Sequence, residues 1–205
     1  MEKEEKVREI LRMIVVLTVI SAAMGFGLSF VESITREPIK LSRLKYVKGP
    51  AVLAVLPEYE NDPVADYKEG ISFGKRDGKE IVKTVFPAKK GGKITAIAFE
   101  VQGQGFGGKL DIMIGVDVEK GILTGMRVMR HSETPGLGAR STEPSFYKQF
   151  VGKSLKELEL KDKGGKIDAI SGATITSGGV VSAVREGLKE FINSKEKILK
   201  ELKAS

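Results

Sequence analysis

Leu110-Asp111-Ile112-Met113-Ile114-Gly115-Val116-Asp117-Val118 sets the class of the fold. Leu110, Ile112, Ile114, Val116 and Val118 fall on one face of an extended chain, and Asp111 and Asp117 on the other. That period of two belongs to a strand covering a core. Glu119-Lys120-Gly121 follows as a turn, and Ile122 to Arg130 makes the next strand, with Ile122, Met126 and Val128 on one face. Two such runs joined by a short turn predict an antiparallel hairpin. Upstream, Lys93 to Val101 alternates at Ile97, Phe99 and Val101. Ile81 to Phe86 precedes it across Pro87 and the turn Lys90-Gly91-Gly92.

Helical spacing takes over on the C-terminal side. Phe146, Tyr147 and Phe150 predict a short helix over Pro144 to Phe150. A long helix is expected from Ser177 to Lys200, with Val181, Val184, Leu188 and Ile192 inward and Arg185, Glu186, Lys189 and Glu190 outward. Ala51 to Leu56, between Pro50 and Pro57, has room for one or two helical turns. No internal repeat and no strand–helix–strand alternation occurs. The predicted class is α+β, an antiparallel sheet packed by helices.

Met13 to Val31 is 19 residues without a charge. As a helix it covers about 28 Å, close to the hydrocarbon thickness of a bilayer. It is longer than a signal-peptide core and lacks a small-residue cleavage pattern after it. The expectation is an uncleaved single N-terminal transmembrane helix. Gly25, Gly27 and Ala22-Ala23 would let a second helix approach closely, although such residues are also ordinary in membrane spans. Residues 1–12 then form a short N-terminal arm, 13–31 the transmembrane helix, 32–48 a juxtamembrane linker broken by Pro38, and 49–205 the folded domain. Basic residues flank both ends of the span, so charge alone does not orient it.

Composition narrows the chemistry. The 205 residues carry 34 Lys and Arg against 27 Asp and Glu, with no cysteine and one histidine. Basic residues interleave with acidic ones, which is a solvated surface more than a nucleic-acid footprint. Without cysteine there is no disulfide framework, thiol nucleophile or cysteine-ligated iron–sulfur cluster. His131 alone builds no multi-histidine metal site. A chain of this kind that moves electrons needs an organic cofactor to hold them.

Three segments break local folding rules. Asp168-Ala-Ile-Ser171-Gly172-Ala173-Thr174-Ile-Thr176-Ser177-Gly-Gly leads small and hydroxyl residues into the last helix. A helix start of this kind offers unpaired N–H groups and a positive dipole end to a phosphate. The same residues serve equally as a capping box with loop glycines. His131-Ser-Glu133-Thr134-Pro-Gly-Leu137-Gly138-Ala-Arg140 follows a strand and turns at Pro135-Gly136. It brings polar groups together beside one hydrophobic side chain, or it is an ordinary turn. Gly103-Gln-Gly-Phe106-Gly-Gly108 has four glycines in six residues, a backbone bending near something bulky. It is no dinucleotide fingerprint, because a strand follows where a helix should open.

Together these segments resemble the FMN-binding-domain family. Asp-x-x-Ser-Gly-Ala-Thr is similar to the site where a flavin transferase attaches FMN, and Glu-Thr-Pro-Gly-Leu-Gly is typical of the same domain. One span before such a domain looks like the G subunit of the Rnf complex, the ion-pumping ferredoxin:NAD oxidoreductase. It is also similar to the C subunit of the sodium-pumping NADH:quinone oxidoreductase.

The resemblance implies an electron-relay subunit of a membrane-bound ion-translocating oxidoreductase, not catalytic alone, with one FMN joined through its phosphate to Thr174 Oγ. It assigns Asp168, Ser171, Gly172 and Ala173 to recognition by the transferase. Glu133, Thr134, Leu137 and Gly138 would line the flavin pocket, with Thr176 and Ser177 near the phosphate. Expected partners are the remaining subunits of the complex and the flavin transferase. The expected location is the cytoplasmic membrane, with the flavin domain on the extracytoplasmic side. No catalytic residue, metal or nucleic acid is implied. His131 is a candidate proton gate or simply a hydrogen-bonding residue, Arg140 faces the cofactor or solvent, and Lys161–Lys166 is an exposed loop. Two other classes remain on residues alone: a stand-alone membrane-anchored flavin reductase and a non-redox membrane-tethered binding module.

Overall fold

A computed structural model describes residues 2–76 and 78–204. Met1, Asp77 and Ser205 lie outside them, and with them the first residue of the predicted arm and the last of the predicted domain. The chain forms two compact units, Met1–Lys45 and Tyr46–Ser205.

The first unit is helix α1, Glu2–Arg43. Among the described residues it is long and apolar enough to cross a membrane, with its apolar side chains exposed. The expected break at Pro38 is not there. Proline removes one backbone donor and crowds the preceding turn. Here the turn before it is reinforced: Arg36 pairs with Glu32 at 2.7 Å, and Thr35 Oγ1 donates to the Val31 carbonyl at 2.7 Å. Most of the predicted linker is therefore helix. A π-helical turn, Leu44–Lys48, precedes α2, Gly49–Val55.

The second unit is built on an antiparallel meander of five strands, ordered as in the sequence. These are β1 (Lys68–Arg76), β2 (Lys79–Lys90), β3 (Lys93–Gln104), β4 (Lys109–Asp117) and β5 (Leu123–Arg130). On β4 the alternation places Ile112, Ile114 and Val116 in the core, paired with Val101, Phe99 and Ile97 of β3. The other face of β4 is covered too, since Met113 is fully buried. Gly115 and Gly125 face each other across β4 and β5, and a Cβ on either would run into Val55 of α2. Thr124 Oγ1 donates to the Val55 carbonyl at 2.6 Å, closing the end of α2 onto that bare patch.

Several boundaries differ from expectation for physical reasons. β1 escaped the sequence pattern because Gly70 and Gly74 take positive φ and two bulges interrupt its period. β2 runs through Pro87, which pairs with Ile97 of β3. Pairing with β1 has ended by then, at Lys68 opposite Val85, so the missing N–H leaves no gap in a ladder. Asn61 takes over that edge, donating to the Pro87 carbonyl at 2.9 Å and accepting from Lys89 N–H at 2.7 Å. A bulge between Gly115 and Val116 puts Leu123 opposite Val116 and into the core, where the sequence pointed to Ile122.

Helix α3, Pro144–Tyr147, continues as a 3-10 turn, Lys148–Phe150, and stacks Phe146 edge-on against Phe150 at 5.4 Å. The last helix, α4, spans Thr174–Ala204 and begins three residues before Ser177. Val180, Val184, Leu188 and Phe191 form its buried stripe, continued by Ile198 and Leu202, while Ile192 is exposed. At the head of the helix, Gly179 lies against the Gln104 carbonyl and Gly103 against Gly179, leaving no space for a Cβ on either. That contact seats the second turn of α4 on the end of β3.

Candidate functional site

The end of β3, the turn after β5 and the start of α4 meet around a cleft of about 400 Å³. All three irregular segments of the sequence contribute to it, and Glu133 joins them. This residue is 7 % exposed. Oε1 accepts from the Gly107 N–H at 2.8 Å, and Oε2 accepts from Thr176 Oγ1 at 2.6 Å. The glycines follow from this crowding. A Cβ on Gly105 or Gly138 would strike a Glu133 carboxylate oxygen, and one on Gly107 would strike the Ser132 carbonyl. The glycine-rich loop bends because it wraps a buried side chain.

Expected residues divide into two sets. Glu133, Thr134, Leu137 and Gly138 line the cleft from one side, and Gly172, Ala173, Thr174 and Thr176 from the other. Thr174 is the first residue of α4 and is exposed. The Ser177 N–H donates to the Ala173 carbonyl at 3.0 Å, so the N–H groups of Thr174, Ile175 and Thr176 have no intrahelical acceptor. They present the positive end of a helix of 31 residues to the cleft.

Ser177, Ser171 and Asp168 are placed differently. Ser177 is fully buried; its Oγ accepts from Ile170 N–H at 2.9 Å and donates to the Ala173 carbonyl at 3.0 Å. Its hydroxyl locks the turn that leads into α4, so the structure does not turn it toward a phosphate in the cleft. Asp168 stands outside the cleft, paired with Lys161 at 2.7 Å. Gln149 holds its backbone from both sides, accepting from its N–H and donating to its carbonyl. Ser171 is exposed and also lies off the lining.

Of the weaker candidates, His131 Nδ1 accepts from the Glu133 N–H at 3.2 Å, a bond that orients the Glu133 segment. Arg140 pairs with Glu143 at 3.2 Å and does not line the cleft. Two lining residues were missed. Phe106 is 75 % exposed at the tip of the glycine-rich loop, and Ile175 is 62 % exposed on the first turn of α4. Phe106 was visible in the sequence as the one large side chain among four glycines. Ile175 was hidden by placing the start of α4 too late. With Leu137 they make an apolar rim around a cleft that has Thr174 and Thr176 on one wall and Glu133 and Thr134 on the other.

Comparison with known proteins places these residues in a family context. An FMN-binding domain family model matches residues 105–189, a span holding the whole lining of the cleft. The chain is 33 % identical to the G subunit of the ion-translocating oxidoreductase complex of Methanosarcina acetivorans, over 92 % of this chain and 97 % of that protein. It is 31 % identical to the G subunit of the proton-translocating ferredoxin:NAD(+) oxidoreductase complex of Clostridium ljungdahlii, over 74 % and 82 %. Among solved structures it is similar to the C subunit of the Na(+)-translocating NADH-quinone reductase from Parabacteroides distasonis. That match has a TM-score of 0.48 and 30 % identity, covering 56 % of this chain and 63 % of the other.

Proposed function

From the premise that this chain belongs to the G-subunit family of ion-translocating oxidoreductase complexes, we propose that it is the electron-relay subunit of such a complex, carrying one FMN esterified to Thr174. The observation that carries this reading is the exposed Thr174 hydroxyl at the head of α4, on the wall of a cleft inside the FMN-binding-domain match. The residues fit the group in both its halves. Thr174 Oγ supplies the ester oxygen, and the unpaired N–H groups of the first turn supply donors for the remaining phosphate oxygens. Phe106, Leu137 and Ile175 supply apolar surface for a flat heteroaromatic ring. When bound, FMN supplies the ability to take up and release electrons singly. The chain itself holds that group in place, and a covalent bond at the phosphate end does so without using the ring.

On this reading the partners are the remaining subunits of the membrane complex and a flavin transferase that installs the cofactor. Asp168 and Ser171, outside the cleft, fall to the transferase recognition sequence. The reaction of the whole complex is electron transfer between ferredoxin and NAD coupled to ion movement. The chain sits in the cytoplasmic membrane through α1, with the second unit on the extracytoplasmic side. The test is to co-express the full chain with a flavin transferase, denature it and look for flavin fluorescence on the gel. A fluorescent band is expected; a dark band overturns covalent attachment.

A further inference from the structure

Glu133 raises a question that cofactor binding alone does not answer. A carboxylate beside a site for an anionic phosphate is electrostatically unfavourable, and burying a charge costs free energy unless it is paired. Among the described residues no cation lies within ion-pair distance of Glu133. Its two partners are neutral donors, the Gly107 N–H and the Thr176 hydroxyl. Gly105 and Gly138 press against its carboxylate oxygens from either side. Yet Glu133 lines the cleft opposite the start of α4. Two hydrogen bonds and a nearby helix N-terminus face the carboxylate, and three chain segments are shaped around it.

We infer that Glu133 is a positioning residue that acts electrostatically, its fixed negative charge against the cofactor cleft lowering the reduction potential of the flavin bound there. This rests on the FMN reading above. The physical reason is that an electron entering the cleft adds negative charge, and a carboxylate in a poorly solvated wall opposes that addition. Thr176 modulates the effect, because its hydroxyl points a positive dipole at the carboxylate and partly offsets its field. Removing the charge and removing the dipole therefore shift the potential in opposite directions. A purely structural role for Glu133 has no such signature, since both substitutions would loosen the same contact.

The experiment measures the midpoint potential of the flavin-loaded full chain at one fixed pH, for wild type, Glu133→Gln and Thr176→Val. Glutamine keeps the shape and an acceptor for the Gly107 N–H while deleting the charge; valine keeps the shape of threonine while deleting the hydroxyl. Glu133→Gln is expected to shift the potential upward and Thr176→Val downward. Equal potentials in wild type and Glu133→Gln, or shifts of the same sign in both variants, overturn the inference. If Glu133→Gln fails to fold or to load flavin, Thr176→Val decides alone: a downward shift supports it, and no shift or an upward one overturns it. A wild-type chain without flavin is a different failure, that of the FMN reading itself.

Discussion

Of the hollows that border α4, two are nearly equal in size and opposite in character. One is the cleft at its start, about 400 Å³; the other, about 380 Å³, lies between β2, β3 and the middle of the helix. The second is the more highly charged. Lys48, Arg76 and Lys83 line it, with Glu100, Glu186 and Glu190. Those charges already have partners. Lys48 pairs with Glu100 at 2.9 Å, Lys83 with Glu190 at 3.1 Å, and Arg76 bridges Glu186 and Glu190. Lys83 also sits over the rings of Phe73 and Phe99. Around the first cleft, by contrast, first-turn N–H groups lack acceptors, an exposed hydroxyl stands free of the core, and large apolar side chains face outward. A ligand gains little where the protein has satisfied itself. Unmet chemistry, more than volume or charge, marks a site.

Substitutions at the two hollows should therefore behave differently. The largest effect is expected from Thr174→Ala, which removes the ester oxygen and should abolish covalent flavin altogether while leaving the melting temperature near wild type. Retained label on the denatured chain would move the attachment elsewhere. Gly107→Ala comes next, because its Cβ has to displace the Ser132 carbonyl and the Glu133 backbone. Overpacking of this kind costs about 1–3 kcal/mol, so denaturant titration should show a clear loss of stability together with weaker cofactor loading.

Ser177→Ala separates structure from chemistry three residues away from Thr174. It leaves the buried Ile170 N–H without its acceptor, for a loss of about 1–3 kcal/mol, yet flavin should still attach. At the charged crevice Arg76→Ala should change stability by less than about 1 kcal/mol, since its side chain is more than half exposed, and should leave loading unaltered.

The smallest effect is a dependence on pH, from carboxylates that line neither hollow. Asp66 is held below the usual carboxylate range first by its hydrogen bond from Lys89 and then by Asn61. Glu157 is lowered by the Ser154 backbone N–H and then by the Ser154 hydroxyl, and Glu80 by the Ser72 hydroxyl and then Lys197. Groups lowered in this way stabilise the fold above their unfolded pKa, and that contribution fades as pH falls through the folded value. Melting temperature should thus decline modestly on acidification below the ordinary carboxylate range, with flavin still attached. A melting temperature that stays flat across that range would count against these bonds.

How much was legible follows from the kind of signal each element carries. β4 could be read because alternation survives where one face packs on α4. β1 could not, because Gly70 and Gly74 break its period and two bulges interrupt its pairing with β2, although Asp77-Gly78 between the two strands is a turn signal that the sequence did carry. The start of α4 is a run of small and hydroxyl residues in which Thr174, Thr176 and Ser177 look interchangeable. Burial separates them: Thr174 faces out, Thr176 is taken by Glu133, and Ser177 is spent on the turn. The sequence flagged a glycine-rich loop near something bulky. Only three-dimensional packing identifies the bulky object as Glu133, and the same packing brings Phe106 to the rim.

The most direct test of the central claim is peptide mapping by mass spectrometry of the chain isolated from its native membrane. The peptide containing Thr174 should carry the mass of one FMN less one water, with fragmentation placing the group on that residue. An unmodified Thr174 peptide, or the same mass on Ser171 or Thr176, would contradict it.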